Sequence, residues 1–313
     1  MHLTATLMTI VASTVASSVS FLSVGDWGGY NLGSYHKTNV EGVSSRMTKD
    51  SRLHQYNAVL NTGDNFYYCG IQDLNDTNIQ PDYIKTFGNI NLPWISALGN
   101  HDYGYNVSAQ LDLSSRIPNW VMPSRYYKQT YGNVNIFVLD TNPCIQGYRS
   151  TDPAKWDPCG TEYPTCTPYT NPIPCKFHEN IISQSCSTQS NWLKKELDNL
   201  ANNTSQWVVM IGHHPVYEID DITLAGLIDS YADLYISGHI HLLATYTYNK
   251  HSKYVINGAG SMVYAGASLN TSVLDWYKQE SGYARHHIQL DSIVTEFINS
   301  DGTLIHSLIT YKH

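Results

Sequence analysis

Short apolar and β-branched runs recur along the first three quarters of the chain. Five of them lead into a glycine followed by a polar residue. Residues 21–24 lead into Gly25-Asp26, 58–60 into Gly63-Asp64 and 94–98 into Gly99-Asn100. Residues 207–211 lead into Gly212-His213, and 234–236 into Gly238-His239. This is the pattern of buried strands that stop at a tight turn. Helical spacing of apolar residues predicts helices over 46–56, 190–197 and 222–231. Strands alternating with helices predict an α/β sheet, and ligands of such sheets gather beyond the carboxyl ends of the strands. The five polar turns are therefore expected to converge. After His241 the runs 245–248, 254–256, 286–290, 293–298 and 304–311 read as successive strands of a second sheet. No internal repeat and no separate C-terminal domain is apparent.

Composition narrows the partners. Only 14% of residues are charged, so much of the surface must be neutral polar, built from Asn, Ser, Thr and many of the 24 tyrosines. The net charge of −8 argues against a nucleic-acid partner, which usually meets a basic footprint. Residues 1–20 carry no Lys, Arg, Asp or Glu. Their short apolar stretch followed by Ala16-Ser17-Ser18 reads as a signal peptide, with cleavage expected between Ala16 and Ser20. It is too short and too rich in Ser and Thr for a stable membrane span. Residues 21–313 are expected to form one catalytic domain.

Six cysteines are present, five of them from Cys144 to Cys186 in a segment rich in Pro, Thr, Tyr and Asn. With a leader peptide they read as a disulfide-stapled insertion over about 142–187, although six cysteines allow fifteen pairings. Glycosylation acceptors stand at Asn75, Asn106, Asn202, Asn203 and Asn270. The expected destination is the secretory pathway, either extracellular or lysosomal.

The five turns supply Asp26, Asp64 with Tyr67, Asn100 with His101, His213 with His214, and His239 with His241. Carboxylate, phenol, amide and imidazole are all metal-ligand types. Any one of these turns has an ordinary reading as a cap or a surface histidine. Five at successive strand ends point to a shared metal site.

The ordered motifs Gly-Asp-Trp-Gly-Gly, Gly-Asp-Asn-Phe-Tyr, Gly-Asn-His-Asp, Gly-His-His-Pro and Gly-His-Ile-His resemble the metallophosphoesterase (calcineurin-like) superfamily. Tyr67, three residues after Asp64, narrows the resemblance to the purple acid phosphatases. The short length, residues 106–110 and residues 192–197 look like the small, tartrate-resistant type. The resemblance spans about residues 21–265. It implies a mixed α+β fold, a four-layer α/β/β/α sandwich of two mixed sheets.

It further implies Fe(III) held by Asp26, Asp64, Tyr67 and His241. A divalent ion, Fe(II), Zn(II) or Mn(II), would be held by Asp64, Asn100, His213 and His239, with Asp64 bridging. Hard anionic oxygens suit Fe(III), and imidazoles with an amide suit the divalent ion. Two such ions clamp the entering and leaving oxygens of an in-line displacement and make hydroxide available below neutral pH. His101 is the expected acid for the leaving alkoxide. Asp102 either orients His101 or holds the turn. The implied activity is acid phosphatase hydrolysis of small-molecule or protein phosphate monoesters by a monomer.

The chain departs from the family at three places. Vertebrate members have Tyr where His214 stands, and His214 could replace a phosphate-side His that they carry about nine residues after the Gly-His-x-Pro histidine. Here that region reads Glu218-Ile219-Asp220-Asp221-Ile222. Vertebrate members also pair a cysteine at the Cys144 position with one in the helix after the Gly-His-x-Pro loop. No cysteine follows Cys186, so the partner of Cys144 must lie elsewhere. In the resembled family the loop matching 142–187 is shorter, covers the metal cleft and restrains activity until cut. Competing readings are a phosphodiesterase or nucleotide hydrolase of the same superfamily, and a secreted glycoprotein that binds a partner through its cysteine-rich loop.

Overall fold

The computed structural model describes residues 19–152, 154–160, 166, 174–200, 205–264 and 271–312. The chain opens with β1 (Val19–Val24), α1 (Ser34–Leu53), β2 (Ala58–Asn61), β3 (Trp94–Ser96), the short α2 (Val107–Leu111) and β4 (Trp120–Val121). The hairpin of β5 (Tyr127–Tyr131) and β6 (Val134–Val138) follows, then α3 (Phe177–Ile182) and α4 (Cys186–Leu200). Next come β7 (Trp207–Ile211), α5 (Ile222–Tyr231), β8 (Leu234–Ser237), β9 (Leu243–Tyr248), β10 (His251–Asn257) and β11 (Leu274–Lys278). The described chain ends on β12 (Gly282–Ile288), β13 (Ser292–Asn299) and β14 (Leu304–Tyr311).

These strands form two mixed seven-stranded sheets, ordered β14-β13-β12-β1-β2-β3-β4 and β11-β9-β10-β8-β7-β6-β5. Strands β1 to β4 run parallel, and so do β6, β7, β8 and β10. The mixed fold class and the two sheets agree with expectation, but the division of strands between them does not. The strands after His241 do not make a sheet of their own. β9 and β10 extend the second sheet beside β8, whereas β12 to β14 extend the first, with β12 antiparallel to β1. Strand order depends on long-range pairing, such as Phe21 with His286, which a linear pattern does not encode.

The apolar runs of β1, β2, β3, β6, β7 and β8 lack alternation because these strands are buried on both faces. In β7, Trp207, Val209 and Ile211 face the other sheet, while Val208 and Met210 pack under α4 and α5 with Leu193, Leu197, Leu224 and Ile228. In β1, Phe21 faces between the sheets, and Leu22 and Val24 pack with Val40, Val43 and Met47 of α1. Helix, sheet, sheet and helix thus form the four layers. Each fully buried aliphatic or Phe side chain contributes roughly 1.5–3 kcal/mol. Helix α1 starts earlier than expected, at Ser34, and α5 keeps its expected span.

Strand β1 includes Val19 and Ser20, two residues ahead of the expected domain start. The rest of the expected leader lies outside the described residues, as do Asn202, Asn203 and Asn270. Asn75 and Asn106 are exposed, and Asn106 caps α2 by accepting from the Ala109 amide. Among the described residues no helix is long and apolar enough to cross a membrane.

All six cysteines are paired, as Cys69–Cys166, Cys144–Cys186 and Cys159–Cys175. Cys144 therefore pairs within the insertion, closing its base. The Arg149 guanidinium ties the same region by donating to the carbonyls of Pro143, Ile181 and Gln184.

Candidate metal centre

The candidate residues stand on turns that leave the carboxyl ends of strands in both sheets. β1, β2 and β3 deliver Asp26, Asp64 and Asn100; β7 and β8 deliver His213 and His239. The turns bond to one another: Asp26 N donates to Gly63 O at 2.9 Å, and Gly238 N to His213 O at 2.9 Å. Asp26, Asp64 and His239 all adopt the left-handed backbone region, with φ of 57°, 52° and 67°. Such residues cost of the order of 1–3 kcal/mol each and cluster at functional sites. Two glycines make room for the carboxylates. A Cβ on Gly99 would lie 2.0 Å from Asp64 Oδ1, and one on Gly238 would lie 2.3 Å from Asp26 Oδ2.

Two groups of donor atoms result. Tyr67 Oη lies 3.2 Å from Asp26 Oδ1 and 3.1 Å from His241 Nε2, and the latter two are 3.3 Å apart. In the second group His213 Nε2 is 2.8 Å from Asn100 Oδ1 and 3.4 Å from Asp64 Oδ1, and His239 Nδ1 is 3.1 Å from Asn100 Oδ1. Asp64 adjoins both groups: its ligand oxygen lies within 4.8 Å of those of Asp26 in the first and His213 in the second. The Asp26 carboxylate additionally accepts from His239 N.

The protons explain what this arrangement asks for. His213 Nδ1 donates to the Thr62 carbonyl at 2.9 Å. The neutral ring then carries its lone pair on Nε2, aimed at two further oxygen acceptors. Three buried acceptors with no hydrogen between them need a cation or a proton. Burial opposes protonation of His213, but Asp64 raises it to about 9, and Asp64 in turn, against its own burial, is held well below the usual carboxylate range by His213. Burial, then Asp26 and Asp64, hold the Tyr67 phenol well above its ordinary value. The donor set therefore fits metal ions.

His101 follows Asn100 and anchors its backbone by donating N–H to Asp64 Oδ1 at 3.0 Å. Its Nδ1 donates to the Tyr68 carbonyl at 2.7 Å, which leaves Nε2 as the free nitrogen. Burial holds its pKa below the ordinary imidazole value. Asp102 does not engage this ring. It is fully buried, and its carboxylate accepts from the backbone N–H groups of Gly99, Asn65 and Phe66 and from the Asn65 and Gln110 side chains. That bonding binds the β2 and β3 turns together.

His214 is also buried, with Nδ1 2.7 Å from Thr141 Oγ1 and Nε2 2.9 Å from Tyr148 Oη. Both nitrogens are engaged, so the ring backs His239, 4.4 Å away between centroids, rather than facing a substrate. Its proximity to His213 and His239 nonetheless makes the three a possible ligand group on distance alone.

Sequence reasoning missed four neighbours. Tyr148 and Trp156 come from the insertion, where no periodicity marks them, and Trp156 meets the His101 ring edge-on at 5.2 Å. Tyr264 packs edge-on against His241 at 4.8 Å. Glu218 Oε2 lies 3.4 Å from His239 Nε2, and only its acidity just after a ligand turn could have drawn notice. Although close enough for an ion pair, the two are better read as neutral. Burial lowers His239 well below its ordinary value and raises Glu218 to about 8.

Replacing Asp102 with Ala would orphan several buried N–H donors, each worth about 1–3 kcal/mol. Asp102→Ala is expected to lower the unfolding free energy by roughly 3 kcal/mol or more in urea titration. An unchanged stability with a selective loss of turnover would instead return Asp102 to the catalytic set.

The model of the calcineurin-like phosphoesterase family matches residues 20–243. The chain is 28% identical to tartrate-resistant acid phosphatase type 5 of Homo sapiens, over 91% of this chain and 84% of that protein. It is 28% identical to purple acid phosphatase 3 of Arabidopsis thaliana, over 94% of this chain and 78% of that one. Among solved structures, GAP50, the anchor in the inner membrane complex of Plasmodium, matches with a TM-score of 0.68. That likeness, at 21% identity over 95% of this chain and 89% of the other, concerns the fold. With the family's stretch running from β1 to the first residue of β9 and every expected turn gathered in one place, this chain belongs to the calcineurin-like phosphoesterase family.

Proposed function

We propose that this protein is a secreted acid phosphatase that hydrolyses phosphate monoesters at a dinuclear metal centre. The observation that carries the reading is the proton-poor cluster in which His213 Nε2 meets Asn100 Oδ1 and Asp64 Oδ1. Asp26, Asp64, Tyr67 and His241 would hold Fe(III). Asp64, Asn100, His213 and His239 would hold Fe(II), Zn(II) or Mn(II), with Asp64 shared. Bound there, such ions supply positive charge at the phosphoryl group and lower the pKa of water.

The chain's own residues do the rest. Nδ1–H of His101, donating to Tyr68 O, leaves Nε2 as the nitrogen that takes up a proton in acid, and the imidazolium so formed passes that Nε2 proton to the leaving alkoxide. Asp102 keeps the turn that carries His101, and His214 supports His239 from behind. The cysteine-rich segment, through Trp156 and Tyr148, forms a wall on the His101 side and limits access by bulky substrates. Three disulfides suit the oxidising secretory route. The substrates are small-molecule or protein phosphate monoesters, and the enzyme acts as a monomer.

Three measurements test this reading. Tyr67→Phe is expected to abolish the visible tyrosinate-to-iron absorption of the purified protein with the fold retained by circular dichroism. Colour that survives rejects the ferric assignment and leaves the diesterase and nucleotide-hydrolase readings of the superfamily. His101→Ala should lower kcat by about 10²–10⁴ for alkyl phosphates and by less for aryl phosphates, whose leaving groups need less help. Equal losses on both would reject the acid role. Limited proteolysis between Cys144 and Cys186 should raise turnover on phosphorylated proteins more than on a small aryl phosphate. Unchanged kinetics on both would show that the segment does not gate the cleft.

A further inference from the structure

His239 differs from the other imidazoles of the site in how its ring is held. His213 is oriented by a main-chain carbonyl, that of Thr62, which any residue at that position would supply. His239 has no such support. Its backbone sits in the left-handed region and its N–H is taken by the Asp26 carboxylate. Its Nδ1 faces Asn100 Oδ1 at 3.1 Å, and its Nε2 faces Glu218 Oε2 at 3.4 Å. The ring lies edge-on to His213 and tilted against His214, both of whose nitrogens are engaged elsewhere.

Glu218 is itself fixed. It ends a single helical turn, Val216–Glu218, whose backbone is pinned by Glu218 N donating to Pro215 O at 3.0 Å and Val216 N donating to Tyr246 Oη at 3.0 Å. Its side chain is 19% exposed, turned toward the cleft. Ile222, nine residues beyond His213 and therefore the counterpart of the phosphate-side His, is 87% exposed.

We propose that Glu218 is a positioning residue for the divalent site: its carboxyl oxygen accepts the Nε2–H of His239 and so commits Nδ1 to the metal beside Asn100. The inference rests on the dinuclear reading above. An acceptor on the distal nitrogen selects the tautomer and orients the ring, and removing such a partner typically costs 10–100-fold in metal affinity. Only the second ion should feel it, because the ligand Glu218 approaches is His239, while Asp26, Tyr67 and His241 bond to one another.

The experiment measures zinc and manganese binding to the full chain by chelator competition, with iron counted separately by elemental analysis. Glu218→Ala is expected to lose about 10–100-fold in Zn(II) and Mn(II) affinity. Its iron content and the thermal unfolding of its metal-free form should match wild type. Glu218→Gln, which keeps an acceptor oxygen, should recover most of the loss. Unchanged divalent affinity in Glu218→Ala, with two ions bound to wild type, overturns this proposal alone. A wild-type chain that binds only one ion overturns the dinuclear reading together with it. If Glu218→Ala does not fold, nitrogen chemical shifts of histidine in the zinc-loaded wild-type protein decide. Nε2 protonated and Nδ1 zinc-bound at His239 supports the proposal, and Nε2 ligation refutes it.

Discussion

Buried acceptors that outnumber the protons available to them are what the rest of this structure depends on. The Thr62 carbonyl takes the one hydrogen of His213, and the lone pair left over meets two more oxygens from separate strand turns. Bringing such groups together without water is unfavourable, and the penalty is relieved only by positive charge. The electrostatics of the pocket carry the same mark: against the effect of burial, Asp64 drives His213 up to about 9. A site built this way is unstable on its own terms and must be held by something else.

The holding is done by the sandwich. Left-handed backbone at Asp26, Asp64 and His239 is strained, and each of these residues follows a strand packed on both faces. Trp27, immediately after Asp26, is buried among Phe66, Phe87, Trp94 and Trp120 and donates to Asn61 Oδ1 at 2.9 Å. The first turn therefore cannot relax without opening an aromatic core. Asp102 does the same service for the second and third turns by collecting their N–H groups in one buried carboxylate. Rigid strand ends from two sheets, rather than one, allow donors to approach from both sides.

The cysteine-rich insertion is bound into this arrangement at several points. Cys69–Cys166 joins it to the loop after Tyr67, and the Lys176 amide donates to the Gly104 carbonyl at 2.7 Å. Tyr148 and Trp156 then meet His214 and His101 from the side that the sheets leave open. The segment thus wraps groups that lie behind the candidate ligands as well as bordering the cleft.

The candidate ligands were legible in the linear sequence because each lies at a fixed offset from an apolar run, and strand followed by Gly and a polar residue is a local signal. Asp26, Asp64, Asn100, His213 and His239 needed no tertiary information to be singled out, and the helix at Ile222–Tyr231 followed from spacing alone. Strand order did not, because β12 joins β1 through pairings such as Val19 with Ile288, whose partners are far apart in the chain. The roles of Asp102 and His214 were equally out of reach. A buried carboxylate and a buried imidazole have the same letters whether they face a substrate or a neighbouring turn, and only the positions of Gln110, Thr141 and Tyr148 decide which. Glu218 likewise acquires its meaning from one distance across the cleft, set by how β7 and β8 lie side by side. Local chemistry and periodicity are properties of neighbours in sequence; hydrogen-bond partners are properties of neighbours in space.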